Sequence, residues 1–176
     1  MRRTLVLHPD SRCTAAIGID VEVARPRPGA LLLHYIVTCK TGDLRLPPPA
    51  APARADGLWR HTCFEAFVVA GQGAYHEFNF APSTQWAAYR FAAFREGMAI
   101  ATEIPPPGIE TQSTSERFEL SASLELKSLA GAKWRLALSA VIEESSGQKS
   151  YWALAHPPGR PDFHHSDGFA LELPTA

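Results

Sequence analysis

The sequence predicts an all-β fold: a two-sheet antiparallel β-sandwich, jelly-roll or immunoglobulin-like, with roughly ten strands and little helix. Three observations lead there. Ile17–Val23, Phe118–Leu126 and Trp134–Ile142 alternate apolar and polar residues as half-buried strands do. Glycine- and proline-bearing turns separate the strand-like runs at short intervals. No sizeable amphipathic helix is written anywhere in the chain. At 176 residues, 45% hydrophobic and 20% charged, the chain suits a single domain (1–176) around one core.

The elements follow in order. Leu5–His8 reads as a short first strand. Ile17, Ile19, Val21 and Val23 then alternate with Gly18, Asp20 and Glu22, until the prolines of Arg25-Pro26-Arg27-Pro28-Gly29 break the ladder. Ala30–Cys39 is continuously apolar and reads as a central strand. Thr41-Gly42-Asp43 forms a turn and Leu44–Leu46 a stub. Pro47–Ala55 (PPPAAPARA) is an extended internal loop on the surface. Thr62–Val69 and Tyr75–Phe80 are paired strands whose hairpin loop, Ala70-Gly71-Gln72-Gly73, carries glycines for positive φ. Gln85–Gly97 spaces Trp86, Tyr89 and Phe94 partly as a helix would, but its aromatics also suit a strand, and it reads as a further strand; Pro105–Gly108 is a surface break. Phe118–Leu126 and Trp134–Ile142 flank a single helical turn at Lys127–Ala130. Ser145–Gly147 is a turn, and Ser150–Ala155 and Phe169–Leu173 close the fold.

Composition excludes several classes of function. A formal net charge of −1 offers no footprint for a nucleic-acid backbone. The Arg2–Arg3 and Arg25–Arg27 clusters read as solvated strand edges. The apolar run near the N-terminus, Leu5-Val6-Leu7, is shorter than the roughly 7–15 residues of a signal peptide. No segment approaches the ~18 apolar residues of a membrane helix. A cytoplasmic chain with no membrane partner is therefore expected. Cys13, Cys39 and Cys63, an odd number at wide spacing, are expected as free thiols.

The richest stretch for chemistry is Asp56–Arg95. It carries Trp59, Arg60, His61, Glu65, Glu77, Asn79, Trp86, Tyr89 and Arg95 among strand-forming apolar residues. Charges there are either exposed or held by partners. Glu65 and Glu77 form a carboxylate pair of the kind used in glycoside hydrolysis, or each pairs with a nearby arginine. Register decides. If Glu65 lies opposite Glu77 or Asn79 the polar groups share a face, whereas opposite Phe78 they are split. His61 and Cys63 share a strand face, as a nucleophilic pair would, but no orienting group or oxyanion hole accompanies them. Flat aromatic faces at Trp59, Tyr75, Trp86 and Tyr89 beside planar polar groups are what a sugar site needs, or else they fill the core. In the loop His156–Gly168, Asp162, His164 and His165 could ligate a divalent metal, without matching a standard zinc spacing.

The block DGLWRHTCFEAFV…YHEFNFAPSTQWAAYRF resembles DOMON-like proteins related to family 9 carbohydrate-binding modules. A strand bearing a glutamate (Glu65) precedes a hairpin. An aromatic–x–Glu–Phe strand (Tyr75–Phe78) then runs into a turn containing Pro82. The terminal WALAHPPGRPDFHHSDGFALEL is similar to the C-terminus of bacterial proteins of this type. The resemblance implies a β-sandwich and a small, carbohydrate-like ligand. Some DOMON domains bind haem through Met and His, for which Met98 is the one internal thioether here.

The expectation is thus a non-catalytic domain binding a saccharide-like small molecule, with the oligomeric state open. A haem module, a metal-dependent enzyme built on Asp162, His164 and His165, and a plain interaction protein are the alternatives.

Overall fold

The computed structural model describes residues 1–71 and 73–175; Gln72 of the hairpin loop lies outside them. The twelve strands are β1 (Arg2–Leu7), β2 (Ala16–Ala24), β3 (Ala30–Cys39), β4 (Cys63–Val69), β5 (Tyr75–Phe80), β6 (Trp86–Phe91), β7 (Ala99–Ile100), β8 (Gly108–Ser113), β9 (Arg117–Glu125), β10 (Trp134–Glu143), β11 (Lys149–Ala153) and β12 (Leu171–Leu173). Among the described residues helix is confined to four 3₁₀ turns of three residues each. Among the described residues no helix is long and apolar enough to cross a membrane.

All strand pairs are antiparallel, and they join into one sheet ordered β7-β6-β5-β4-β10-β11-β1-β2-β3-β9-β8, with β12 beside the start of β10. Two separate sheets were expected; β1 makes them continuous. Its Arg2–Leu5 segment pairs with β2, while Val6 and Leu7 pair with β11. The sheet curls so that its two halves face each other over the core. Phe64 of β4 meets Tyr35 of β3 and Phe118 of β9 at ring-centroid distances of 5.1 and 5.9 Å. The Tyr35 hydroxyl donates across the same gap to the Glu65 carbonyl at 2.7 Å, which satisfies a buried polar group in an apolar interior.

Several sequence expectations need correction. The Gln85–Gly97 strand stops at Phe91, after which an Ala93–Glu96 bridge closes a tight turn with Arg95 at φ 54°. Leu44–Leu46 makes only an isolated bridge, Leu44 to Glu144. β8 was not foreseen. Its residues, GIETQS, are almost all exposed, so no hydrophobic alternation marks them. Arg25 is more than a solvated edge. Its guanidinium lies 3.7 Å from the Trp134 ring centroid and donates to the carbonyls of Ala130, Ala132 and Pro174, tying the chain's end to the core. The proline-rich loop is internal, as expected: Ala53 and Ala55 hydrogen-bond the backbone of Trp86 at the start of β6. Cys13, Cys39 and Cys63 are free.

Candidate functional site

On β4, β5 and β6 every other side chain faces away from the main core, toward a second, smaller apolar cluster of Phe67, Val69, Tyr75, Ala87, Tyr89, Phe91, Ala137 and Phe169. The turn Leu58–Arg60 and the segment Ala155–Phe169 roof this face, so β4 is buried on both sides. Where the roof parts, a cavity of about 440 Å³ opens. Glu65, Glu77, Tyr89 and Val141 contribute from the strands; Trp59, Arg95, Met98, Phe163 and His164 contribute from the surrounding loops.

The register question has a definite answer. Glu65 lies opposite Asn79, and Phe67 opposite Glu77, which puts both glutamates and the asparagine on this one face. Glu65 is 3% exposed, and no hydrogen bond holds its carboxyl among the described residues. Burial, and then the neighbouring Glu77, pushes its pKa well above the usual carboxylate range. Glu77 is also raised by burial, though less starkly. The Asn79 amide donates to it at 2.7 Å and the Arg95 charge favours its ionised form. Ser139, directly opposite Glu65 on β10, holds a buried hydroxyl without a protein partner. The floor therefore presents a carboxyl of raised proton affinity beside a hydrogen-bonded carboxyl.

One wall is a relay of hydrogen bonds. The Arg95 amide donates to the Tyr75 hydroxyl at 3.2 Å, and that hydroxyl lies 2.8 Å from His164 Nδ1. Tyr75, its pKa raised by burial, keeps its proton and donates it to Nδ1; the neutral His164 ring then carries its own proton on Nε2, 3.7 Å from Glu77. Burial and the Arg95 charge lower the His164 pKa to about 4. Asp162 ties the wall together, accepting from Arg95 Nη2 at 2.8 Å and from the His164 amide at 3.0 Å.

The opposite rim is Trp59, 49% exposed, presented by the 3₁₀ turn that follows Gly57 in a left-handed conformation (φ 72°). Arg60 lies over its ring at 5.3 Å. Tyr89 donates to Asp56, which Arg54 grips with two further bonds at 2.7 and 3.1 Å.

Of the sequence candidates, Trp59, Glu65, Glu77, Tyr89, Arg95 and His164 thus meet at one cavity, with Asn79 beneath its floor and Arg60 behind its rim. Trp86 does not. It projects to the other face of β6, into the main core, because the face set by Tyr89 falls on odd-numbered residues of that strand. His61 points to Glu143 at 2.7 Å and takes no part in the cavity. It precedes β4, so the expected His61–Cys63 face does not form. The buried Cys63 thiol is held above its ordinary pKa by burial and Glu65. The proposed metal ligands are dispersed: Asp162 goes to Arg95, His164 to Tyr75 and Glu77, and His165 to Asp167. Among the described residues no group of three His, Cys, Asp or Glu could hold a metal ion. Met98 and His164 line the same cavity, with His164 Nδ1 facing the Tyr75 hydroxyl and two carboxyls in the floor.

Sequence reasoning passed over Tyr151 and Phe163, which also line the cavity, 6.1 Å apart. Tyr151 was within reach, since it pairs through Val141 with Cys63 and so stands on the Glu65 face. Phe163, in an irregular loop, had no periodic signal.

No family model matches the chain, and no curated protein matches it. Solved structures do. A candidate carbohydrate-binding protein from Bacteroides uniformis superposes with a TM-score of 0.68 at 16% identity, covering 95% of this chain and 83% of that one. A family 9 carbohydrate-binding module from Caldicellulosiruptor kristjanssonii, in complex with cellotriose, superposes with a TM-score of 0.51 at 10% identity, over 88% of this chain and 74% of that one. These likenesses bear on the family 9 side of the resemblance and not on its DOMON-like side. At such identities what is shared is the fold.

Proposed function

We propose that the cavity between Trp59 and His164 binds a neutral saccharide without cleaving it. The observation that carries this reading is the pair Glu65 and Glu77 on one face of the sheet, in the floor of a cavity that a half-exposed tryptophan also lines. A sugar offers an apolar C–H face and a belt of hydroxyls that both donate and accept. Trp59 supplies the flat apolar surface for the first. A protonated Glu65 both donates and accepts, and Glu77 accepts, so adjacent hydroxyls can each be met. Arg95 is neutralised by Asp162, so the walls favour no net charge on the ligand.

Binding is preferred to hydrolysis on geometry and on proton affinity. Glycosidases flank the scissile bond with two carboxyls, one of them ionised as base or nucleophile. Here both lie side by side in the floor, and burial raises the pKa of both. The two structural neighbours, one a candidate carbohydrate-binding protein and one carrying cellotriose, support the reading. On the same reading the facing halves of the curled sheet serve as the two layers of a sandwich.

The test is calorimetric titration and tryptophan fluorescence with glucose, xylose and short β-linked glucose oligomers. At least one sugar should bind, and Trp59→Ala should weaken it by about tenfold or more. If none binds the unmodified protein, the proposal is wrong.

A further inference from the structure

Beyond the wall formed by Arg95 and His164 lies a second cavity of about 360 Å³, which shares His164 with the first. Its base is apolar, made by Val69, Tyr75 and Phe169, and its rim carries Arg135 and His165. Phe94 stands at its edge with 51% of its surface exposed. A large ring in water is a cost unless something covers it, and this one is not left loose. The Ala93–Glu96 bridge and the left-handed backbone of Arg95 set the turn, and the Arg95 amide pins it to the Tyr75 hydroxyl. His165 meets the ring edge-on at 6.3 Å, while the Arg95 guanidinium lies 5.8 Å from its centre. The segment that walls the first cavity therefore also holds an aromatic platform rigid over the second.

The two cavities differ in chemistry. The first has two carboxyls in its floor. The second has no carboxylate among its described lining residues, and offers a guanidinium and an imidazole as donors around an aromatic face. Both volumes lie within the roughly 300–1,000 Å³ of small-molecule sites.

We infer that the ligand is an oligosaccharide held at two places, one unit between Trp59 and the Glu65–Glu77 floor and a later unit stacked on Phe94. The chain of the sugar crosses over Arg95 and His164, and the hydroxyl and ring oxygens of the later unit accept from Arg135 and His165. This rests on the saccharide reading of the first cavity and adds a length requirement to it.

The test compares glucose, cellobiose and cellotetraose on the unmodified chain and on Phe94→Ala and Trp59→Ala variants, by calorimetry. Phe94 is exposed, so its loss leaves the fold intact, which a matching thermal melt verifies. Affinity should rise from glucose to the tetrasaccharide. Phe94→Ala should remove that gain, about three- to tenfold for one aromatic contact, while leaving glucose unchanged. Trp59→Ala should weaken every length. If Phe94→Ala leaves all lengths unchanged while Trp59→Ala weakens them, the second subsite is refuted and the first stands. If no sugar binds, both fall.

Discussion

Glu65 stands directly opposite Asn79 across the β4–β5 pair, yet the Asn79 amide donates to Glu77 at 2.7 Å. Glu65 is left as a buried acid without a partner, and its pKa lies well above the ordinary 4.5. The folded chain therefore holds a proton that the unfolded chain gives up. That contribution to stability is complete below about pH 4.5 and is lost as pH rises through the raised folded value. Glu65→Gln, of equal size and always neutral, should be more stable than the parent at pH 7, by about 1.4 kcal/mol for each unit of the shift. Near pH 4 the two should converge. Urea unfolding at both pH values decides it, and an equal difference at both would count against a titrating Glu65.

Tyr35 reaches from β3 across the core to the Glu65 carbonyl at 2.7 Å, and its ring packs on Phe64 at 5.1 Å. Tyr35→Phe keeps the packing and removes only the donor. Stability should fall by about 1 kcal/mol, the usual net worth of such a bond. A loss below a few tenths of a kcal/mol in urea unfolding would show that the carbonyl finds another donor.

Most strands were legible from periodicity, though not β7 or β8, and so was the internal course of the proline-rich loop, since alternation and proline act locally. Partners and faces were not. The six residues of β1 serve two neighbours in turn, and that makes one curled sheet of what periodicity reads as two. Glu65 and Glu77 could be named as a pair, but whether they share a face depends on a hairpin register in which Val69 meets Tyr75. Trp86 and Tyr89 looked equivalent on the page; three residues apart on a strand, they point to opposite sides. Phe163 and Phe94 lie in turns, where position is set by tertiary contacts with no repeating pattern.

His164 is buried against Phe67 and Phe91, at 5.1 and 5.2 Å between ring centroids, and its pKa is lowered to about 4. It is neutral at pH 7. Because the folded value lies below the ordinary 6.5, its share of stability is present above about pH 6.5 and is lost as pH falls through about 4. Nitrogen-detected NMR should show one imidazole, with its proton on Nε2, that stays neutral at pH 5.5. A His164 titrating near 6.5 would mean that the wall is open to water in solution.

His8 and His156 meet edge to face at 4.8 Å under the same roof. The His8 Nδ1 accepts from the Asp10 amide at 3.1 Å, so the neutral ring carries its proton on Nε2. His156 Nε2 donates to the Val6 carbonyl at 2.8 Å, which leaves Nδ1 as a bare lone pair. His8 Nε2 and His156 Nδ1 are both buried and without partners, one a donor and the other an acceptor. One bridging water would satisfy both at once. Protonating His156 would set two donors against each other, and burial already lowers its pKa. A water bridging the two rings would be held above about pH 6.5 and released in acid as pH falls through the lowered His156 value. A double-mutant cycle of His8→Gln and His156→Gln should give a coupling of about 0.5–1.5 kcal/mol at pH 7.5 that shrinks by pH 5. Additive single effects at pH 7.5 would show that the two rings only pack.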